Sequence, residues 1–482
     1  MRSSLRLFSS AASVLGGLMA IAAAQPAAAQ TIQDTLSTAY GQSTQLGAQR
    51  AQQRATDEQV PQALSNWRPT VTVTAGVTRT HTNEDPQPTE SLSIFSAQTR
   101  KVPGTYGFNT QKTAGVQIVQ NIYRGGRTEA QTSQATNAVK AGQSQLKATE
   151  QAVLLQAAQS YLDVVRDQST VDLNANNEAV LKRQLDAEED RLRVGEVTRT
   201  DVALAQASYQ QARAQHITAI GTLETDRAAF QRVVGQAPGK LVQPLFKYEL
   251  PATLEDSVAE AEANNPNVLA AEYVERAARD GVDLAQGARL PTIQLIGTLE
   301  HLVPGANSNA SLTSTGNTGL HSIDTGSVEA QVTWPLYTGG LASSQVREAK
   351  QTANQNLIAV EDAKRVARQT AIAAWQQLVA AKANILALTS QVEAAQVGAE
   401  GTRQQALVGT ATVLDSLTAE QQLLQAQVNL VGAQHDALVD SFTLLSAVGR
   451  MTARDMSLPV TIYDPQENQD RVGDKWFGTG ID

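Results

Sequence analysis

Hydrophobic and polar positions fall into two rhythms along this chain. Val71, Val73, Ala75 and Val77 alternate with Thr70, Thr72, Thr74 and Thr78, which predicts a strand with one apolar and one polar face. Val116, Ile118 and Ile122 mark a second alternating segment. The pair recurs later. Ile293, Leu295, Gly297 and Leu299 alternate with Thr292, Gln294, Thr298 and Glu300, and Val328, Ala330, Val332, Trp334 and Leu336 share one face of a fourth segment. Strands of about 10 to 16 residues are expected, long enough to span a membrane when tilted. The stretches between the strands of each pair, Thr82 to Pro103 and Val303 to His321, are rich in Ser, Thr, Asn, Gly and Pro and predict polar loops.

The second rhythm is helical. Residues 124–193 and 338–407 contain no proline, and each run would measure about 105 Å as a single helix. Leu154, Ala158, Tyr161 and Val165 step by 4, 3 and 4, and Leu378, Ile385 and Val392 step by 7, which is coiled-coil spacing. Alanine is abundant where leucine would dominate an ordinary zipper, so neighbouring backbones can approach closely. The runs end at Gly195 and Gly409, and return helices are expected over 198–234 and 412–448. A shorter helix precedes each strand pair. One covers Thr44 to Ser65, where Pro61 is expected to introduce a kink. The other opens at Asn265-Pro266, an N-cap followed by proline at the first helical position, and runs to Ala288. Stacked end to end, a short helix and a return helix nearly match one long run.

The two rhythms are written twice. Tyr123-Arg124-Gly125-Gly126 recurs as Tyr337-Thr338-Gly339-Gly340, 214 residues later. At that offset Tyr161 meets Trp375, Gly195 meets Gly409, Thr198 meets Thr412 and Asp201 meets Asp415. Upstream, Trp67-Arg68-Pro69-Thr70 matches Arg289-Leu290-Pro291-Thr292 at an offset of 222, so the second polar loop is shorter. The expected organisation is a first repeat over 30–235, a linker over 236–253, a second repeat over 254–449 and a tail over 450–482, with linker and tail meeting at mid-height.

Residues 1–29 read as a secretory signal peptide. Arg2 and Arg6 precede an apolar stretch from Ala11 to Ala24, and Ala27-Ala28-Ala29 supplies a cleavage site before Gln30, with a second choice before Gln25. No segment beyond it is expected to cross a bilayer as a helix, which leaves amphipathic strands as the route into a membrane. Each chain offers four such strands, and membrane barrels need at least 8, so several copies must share one barrel. The 482 residues include no cysteine, which excludes disulfide scaffolds, thiolate metal sites and a lipidated N-terminal cysteine. A net charge of −9 and only 4% aromatic residues argue against nucleic-acid binding. His81, His216, His301, His321 and His435 are scattered, and no hydrolase, nucleotide-loop or dinucleotide signature is present, so neither catalysis nor a metal or cofactor is expected.

An exported strand–loop–strand unit followed by a long helical hairpin, written twice, resembles the TolC family of outer-membrane efflux proteins. The residues that carry the likeness are Asn265-Pro266, the Tyr-x-Gly-Gly turns and the two hairpin tips. The tips read Arg193-Val194-Gly195-Glu196-Val197-Thr198-Arg199-Thr200-Asp201 and Leu407-Val408-Gly409-Thr410-Ala411-Thr412-Val413-Leu414-Asp415. Gly449-Arg450-Met451-Thr452-Ala453 and Asp474-Lys475-Trp476-Phe477-Gly478 look like the branch associated with type I secretion. The resemblance implies a mainly helical chain with membrane strands. It implies a homotrimer whose four strands per chain close a 12-stranded β-barrel in outer-membrane lipid, above an α-barrel tunnel of long antiparallel coiled-coil helices reaching into the periplasm. It implies a passive duct, energised by an inner-membrane ABC or RND-type transporter through a periplasmic adaptor (membrane fusion) protein. Asp415 and Asp201 become candidate gate residues, although each would also suit the positive end of a helix dipole. Gly195, Glu196, Val197, Thr198, Arg199, Gly409, Thr410, Ala411 and Thr412 become candidate adaptor-docking residues. The chain departs from closed relatives at Ala411, Ala406 and Thr418, where arginine, tyrosine and an acid are usual, and Arg199 or Arg403 is the expected substitute. The competing reading is an exported structural coiled coil without a pore.

Overall fold

The computed structural model describes residues 30–83, 88–93, 96–101, 106–304 and 322–481. The signal segment and most of the second polar loop lie outside them. The chain opens with α1 (Ile32–Gln42), which the hydrophobic pattern alone did not reveal, although Thr31 and Asp34 form a capping box at its start. The helix expected over 44–65 is two pieces, α2 (Thr44–Asp57) and α3 (Gln59–Leu64), followed by a 3-10 turn at Ser65–Trp67. The break falls at Glu58, where Pro61 has no N–H to give the Asp57 carbonyl and its ring crowds that turn, and the Asp57 side chain is buried there. Gln53 Nε2 donates to one of its carboxylate oxygens and Asn468 Nδ2 to the other, both at 2.7 Å.

The strands β1 (Thr70–Asn83), β2 (Pro88–Ser93), β3 (Ser96–Lys101) and β4 (Tyr106–Tyr123) follow. β2 and β3 pair as a hairpin inside the segment expected to be a loop. Apart from Pro88 the two strands hold only Leu92 and Ala97 as apolar positions, too few for period two to show. β4, at 18 residues, exceeds the expected length. Then come α4 (Arg127–Arg193), α5 (Arg199–Val234), α6 (Leu254–Asn264) and α7 (Pro266–Gly287). β5 (Thr292–Val303), β6 (Ile323–Thr333), α8 (Leu341–Leu407), α9 (Val413–Ala447) and α10 (Pro465–Gly473) complete the chain. Asn265 caps α7 as the Asn-Pro pair requires, and its Nδ2 also reaches the Ala447 carbonyl oxygen at 3.2 Å, tying the helix to the end of α9.

The larger sheet has the order β1-β4-β5-β6, antiparallel throughout. The register gathers its apolar positions on one face, and they are uncovered: Val73 is 74% exposed and Val328 80%. Below it α4 and α8 run 67 residues each, about 100 Å. α7 and then α9 pack beside α8, and α5 packs beside the lower part of α4. α8 contains an 18-residue window of mean hydropathy 1.2, apolar enough by composition to cross a membrane. This corrects the expectation that no such segment exists. The alanines and valines that let coiled-coil helices approach also raise hydropathy, and α8 packs along α7 and α9.

The main core lies at mid-height, where α1, the middle of α4, the end of α5, the linker and the tail converge on Tyr161, Phe230, Phe442, Met451 and Met456. Tyr161 is fully buried. Its Oη lies 2.6 Å from the Val242 carbonyl oxygen and accepts the Val242 N–H at 3.2 Å. One side chain thereby pins the linker to α4.

Candidate functional site

The far ends of the two long hairpins are built by the same local rules. α4 stops because Gly195 adopts φ 82°, and α8 because Gly409 adopts φ 78°, a left-handed conformation that costs other residues energy. Carbonyls of the last turns are then satisfied in the same pattern. Gly195 and Glu196 donate to Leu192 and Arg191, both at 3.0 Å, and Gly409 and Thr410 donate to Ala406 and Gln405 at 3.2 and 2.9 Å. Val197 and Ala411 are half-buried, whereas Glu196, Thr198, Arg199, Thr410 and Thr412 are exposed.

Thr198 and Thr412 start the return helices as N-caps. The Asp201 N–H donates to Thr198 Oγ1 at 3.2 Å, and the Thr198 N–H donates back to the Asp201 carboxylate at 2.9 Å. Asp415 and Thr412 make the same box at 3.1 and 3.0 Å. The threonine hydroxyl and N–H hold both carboxyls below the usual carboxylate range, so each stays ionised at neutral pH. The exposed Asp415 carboxylate sits on the first turn of α9. The opposite side of that turn docks Val413 and Leu417 against Leu181, Tyr209 and Ala212 of the first hairpin. Tip two is therefore packed on α4 and α5 of the first hairpin rather than standing as a free loop. Charges differ between the tips. Tip one carries Arg191 bridging Glu188 and Glu196 at 3.3 and 3.4 Å, while at tip two Arg403 pairs with Glu400 of its own helix at 2.7 Å. Arg199 forms no ion pair among the described residues.

A second electrostatic feature escaped the hydrophobic pattern because it joins three helices. Arg166 on α4 contacts Asp163, Asp167 and Asp226 at 2.9, 2.7 and 3.1 Å, and His435 of α9 lies 2.9 Å from Asp163. Burial and the Asp167 carboxyl beside it push Asp226 up to about 6. Burial alone would lower His435, but hydrogen bonds to Asp163 and Asp436 outweigh it and raise the imidazole above its ordinary value. No cluster of three or more His, Asp or Glu that could hold a metal occurs among the described residues.

At the opposite end of the molecule, the four-stranded sheet carries Val71, Val73, Val77, Leu299, Val328 and Val332 on one exposed face. This is the pattern of a lipid-facing surface whose backbone polar groups are paired within the sheet. Among the described residues its outer strands, β1 and β6, each have one edge without a partner strand.

The family model described as outer membrane efflux protein matches residues 35–236 and 258–450. The chain is 34% identical over 454 residues to the outer membrane efflux protein BepC of Brucella suis, covering 94% of this chain and 93% of that one. It is 28% identical over 437 residues to the outer membrane protein TolC of Vibrio cholerae, covering 89% and 92%. Among solved structures, the outer membrane channel CmeC of Campylobacter jejuni superposes with a TM-score of 0.73 at 15% identity, covering 92% of this chain and 89% of that one. Apolar membrane-type strands above two long helical hairpins, together with these matches, place the chain in the outer membrane efflux protein family, as an outer-membrane channel protein related to TolC.

Proposed function

We propose that this protein is the passive exit duct of a tripartite efflux or type I secretion system. Three copies, each giving four strands, close a twelve-stranded barrel in the outer membrane. Their helices form a tunnel through the periplasm. An inner-membrane ABC or RND-type transporter supplies the energy, and a periplasmic adaptor docks on the tips at Gly195–Arg199 and Gly409–Thr412. The observation that carries this reading is the sheet: its face is apolar and exposed, and its two edges are open, an arrangement that a membrane tolerates only once the barrel closes.

The gate is proposed at the helix tips, where threefold symmetry gathers three Asp415 and three Asp201 carboxylates, all ionised. Like charges held together attract multivalent cations. The test is the oligomer mass in detergent together with conductance in a planar bilayer. A conducting trimer is expected, and a well-folded, non-conducting monomer would leave an exported helical scaffold instead. Asp415→Ala is expected to weaken block by a trivalent cation. Unchanged block removes Asp415 from the gate.

A further inference from the structure

At mid-height, where α2 lies on α4 and α7 on α8, the two repeats diverge. Their buried positions still correspond. Leu46 matches Val268 and Gln53 matches Glu275 at an offset of 222, Leu146 matches Val360 at 214, and all six are buried. By the same offsets Arg50 matches Glu272 and Glu150 matches Lys364, an acid–base pair with its charges exchanged. In the second repeat the pair is closed, with Lys364 Nζ 3.3 Å from the Glu272 carboxylate. In the first it stays open. Glu150 accepts the Ala453 N–H at 2.7 Å instead, so the tail supplies the contact that α7 supplies to Lys364. Beside that contact lies a cavity of about 260 Å³.

Three cations line the cavity from three elements: Arg50 of α2, Lys147 of α4 and Arg454 of the tail. None of them forms an ion pair among the described residues. The acids beside them are engaged elsewhere, Glu150 by Ala453 and Asp455 by the Thr452 hydroxyl at 2.7 Å. The Arg50 guanidinium lies over the rings of Tyr40 and Tyr463, 4.6 and 5.2 Å from their centroids. The ring faces attract its charge but leave its in-plane N–H donors unused. Its Nη2 is buried without an acceptor, and Tyr463 Oη, on the same cavity, is buried without a partner. Buried donors of this kind destabilise a fold until something supplies the acceptor.

We propose that this cavity binds a small soluble phosphate monoester. Arg50, Lys147, Arg454 and the Tyr463 hydroxyl take the phosphate, and Leu46, Leu146 and Ile462, which also line the cavity, take the organic part. A monoester brings nearly two negative charges and three acceptor oxygens at neutral pH, which suits three cations on different elements better than the single charge of a carboxylate. The volume equals that of about eight or nine water molecules, room for the phosphate and a compact organic group. Position excludes a membrane headgroup as the source, because Lys147 stands about 30 Å along α4 from its sheet end. Bound there, the ligand joins the tail to α2 and α4 where the second repeat uses its own ion pair.

The test is calorimetric titration of the full-length protein in detergent with phenyl phosphate. One equivalent per chain is expected. Arg50→Gln and Arg454→Gln are each expected to weaken binding about tenfold, the loss of one charge-assisted hydrogen bond. Arg454 is exposed, so its variant decides the matter if Arg50→Gln does not fold. Arg213→Gln, which removes an exposed cation on α5 outside the cavity, is expected to leave the affinity unchanged. No binding by the parent protein, or equal affinity for the parent and Arg454→Gln, overturns the site. An equal loss with Arg213→Gln and Arg454→Gln overturns it as well, since net charge alone would then explain the binding. Succinate binding more tightly than phenyl phosphate overturns the phosphate assignment. Dioctanoyl phosphatidate binding more tightly overturns the soluble ligand.

Discussion

α4 and α8 are copies of one helix with opposite fates. Both hold 67 residues, both follow a left-handed glycine pair, and both end two residues before a left-handed glycine. α4 is covered on several sides, by α1, α2, α5, α7 and α9, and buries Leu154, Tyr161, Leu162 and Val164. α8 has α6, α7 and α9. It buries mostly alanines with Leu378, and leaves Ile358, Val366, Ile372, Val379, Leu386 and Val397 exposed. Ile372, Val379 and Leu386 recur every seventh residue, one position along from the buried Ala371 and Leu378. In the proposed trimer that stripe is the coiled-coil seam with the next copy. Identical local rules therefore made two helices, and position in the fold decided which of them is left with an uncovered apolar stripe.

The largest test of that comparison is to charge the stripe. Ile372→Asp with Leu386→Asp is expected to abolish the trimer in detergent while helix content by circular dichroism is unchanged. A trimer that survives both aspartates would make the stripe a free surface. The next test sets the repeat counterparts Tyr161 and Trp375 against each other. Tyr161→Ala empties a fully buried site that also pins Val242 and is expected to cost about 3–5 kcal/mol. Trp375 is half-buried against Leu378 and Leu444, so Trp375→Ala is expected to lower the thermal midpoint less. Equal losses would mean that assembly buries both residues alike.

The smallest effect concerns the charge cluster that α4 shares with α5 and α9 and that α8 lacks. Asp226 titrates near 6, above its ordinary 3.8, so the folded protein takes up a proton that the unfolded chain releases. Stability from this group is present below the ordinary value and lost as pH rises through about 6. His435 is also raised and acts in the same sense, losing its contribution as pH rises through its folded value. The thermal midpoint of the parent, relative to Asp226→Asn, is therefore expected to rise as pH falls from 7 to 5. A difference that does not change with pH would place the cluster outside the pH response.

The tips were legible because their chemistry is local. A glycine that must turn left-handed and a Thr-x-x-Asp box are written within nine residues, and both recur at 214. The Thr-x-x-Asp signal was also present at Thr31 and Thr253 ahead of α1 and α6, where it could have revealed both helices. The β2–β3 hairpin left no such mark, since a strand polar on both faces has no period to read. Pro61 announced the break at Glu58, but the hydrogen bond by which Asn468 reaches Asp57 from 411 residues away was hidden. So was the Arg166 cluster, whose His435 comes from the other repeat.

What the sequence determined by itself is whatever depends on neighbours within a few turns: the strand faces, the two long helices, their caps and the fact of a repeat. Periodicity and capping act over single ångströms along the chain, so they survive without any knowledge of the fold. The tertiary structure alone decided what depends on which repeat lies next to which: the Tyr161 core, the docking of α9 on the first hairpin, and the apolar stripe left open on α8. The halves carry nearly the same local instructions, but one chain has only enough surface to cover one of them.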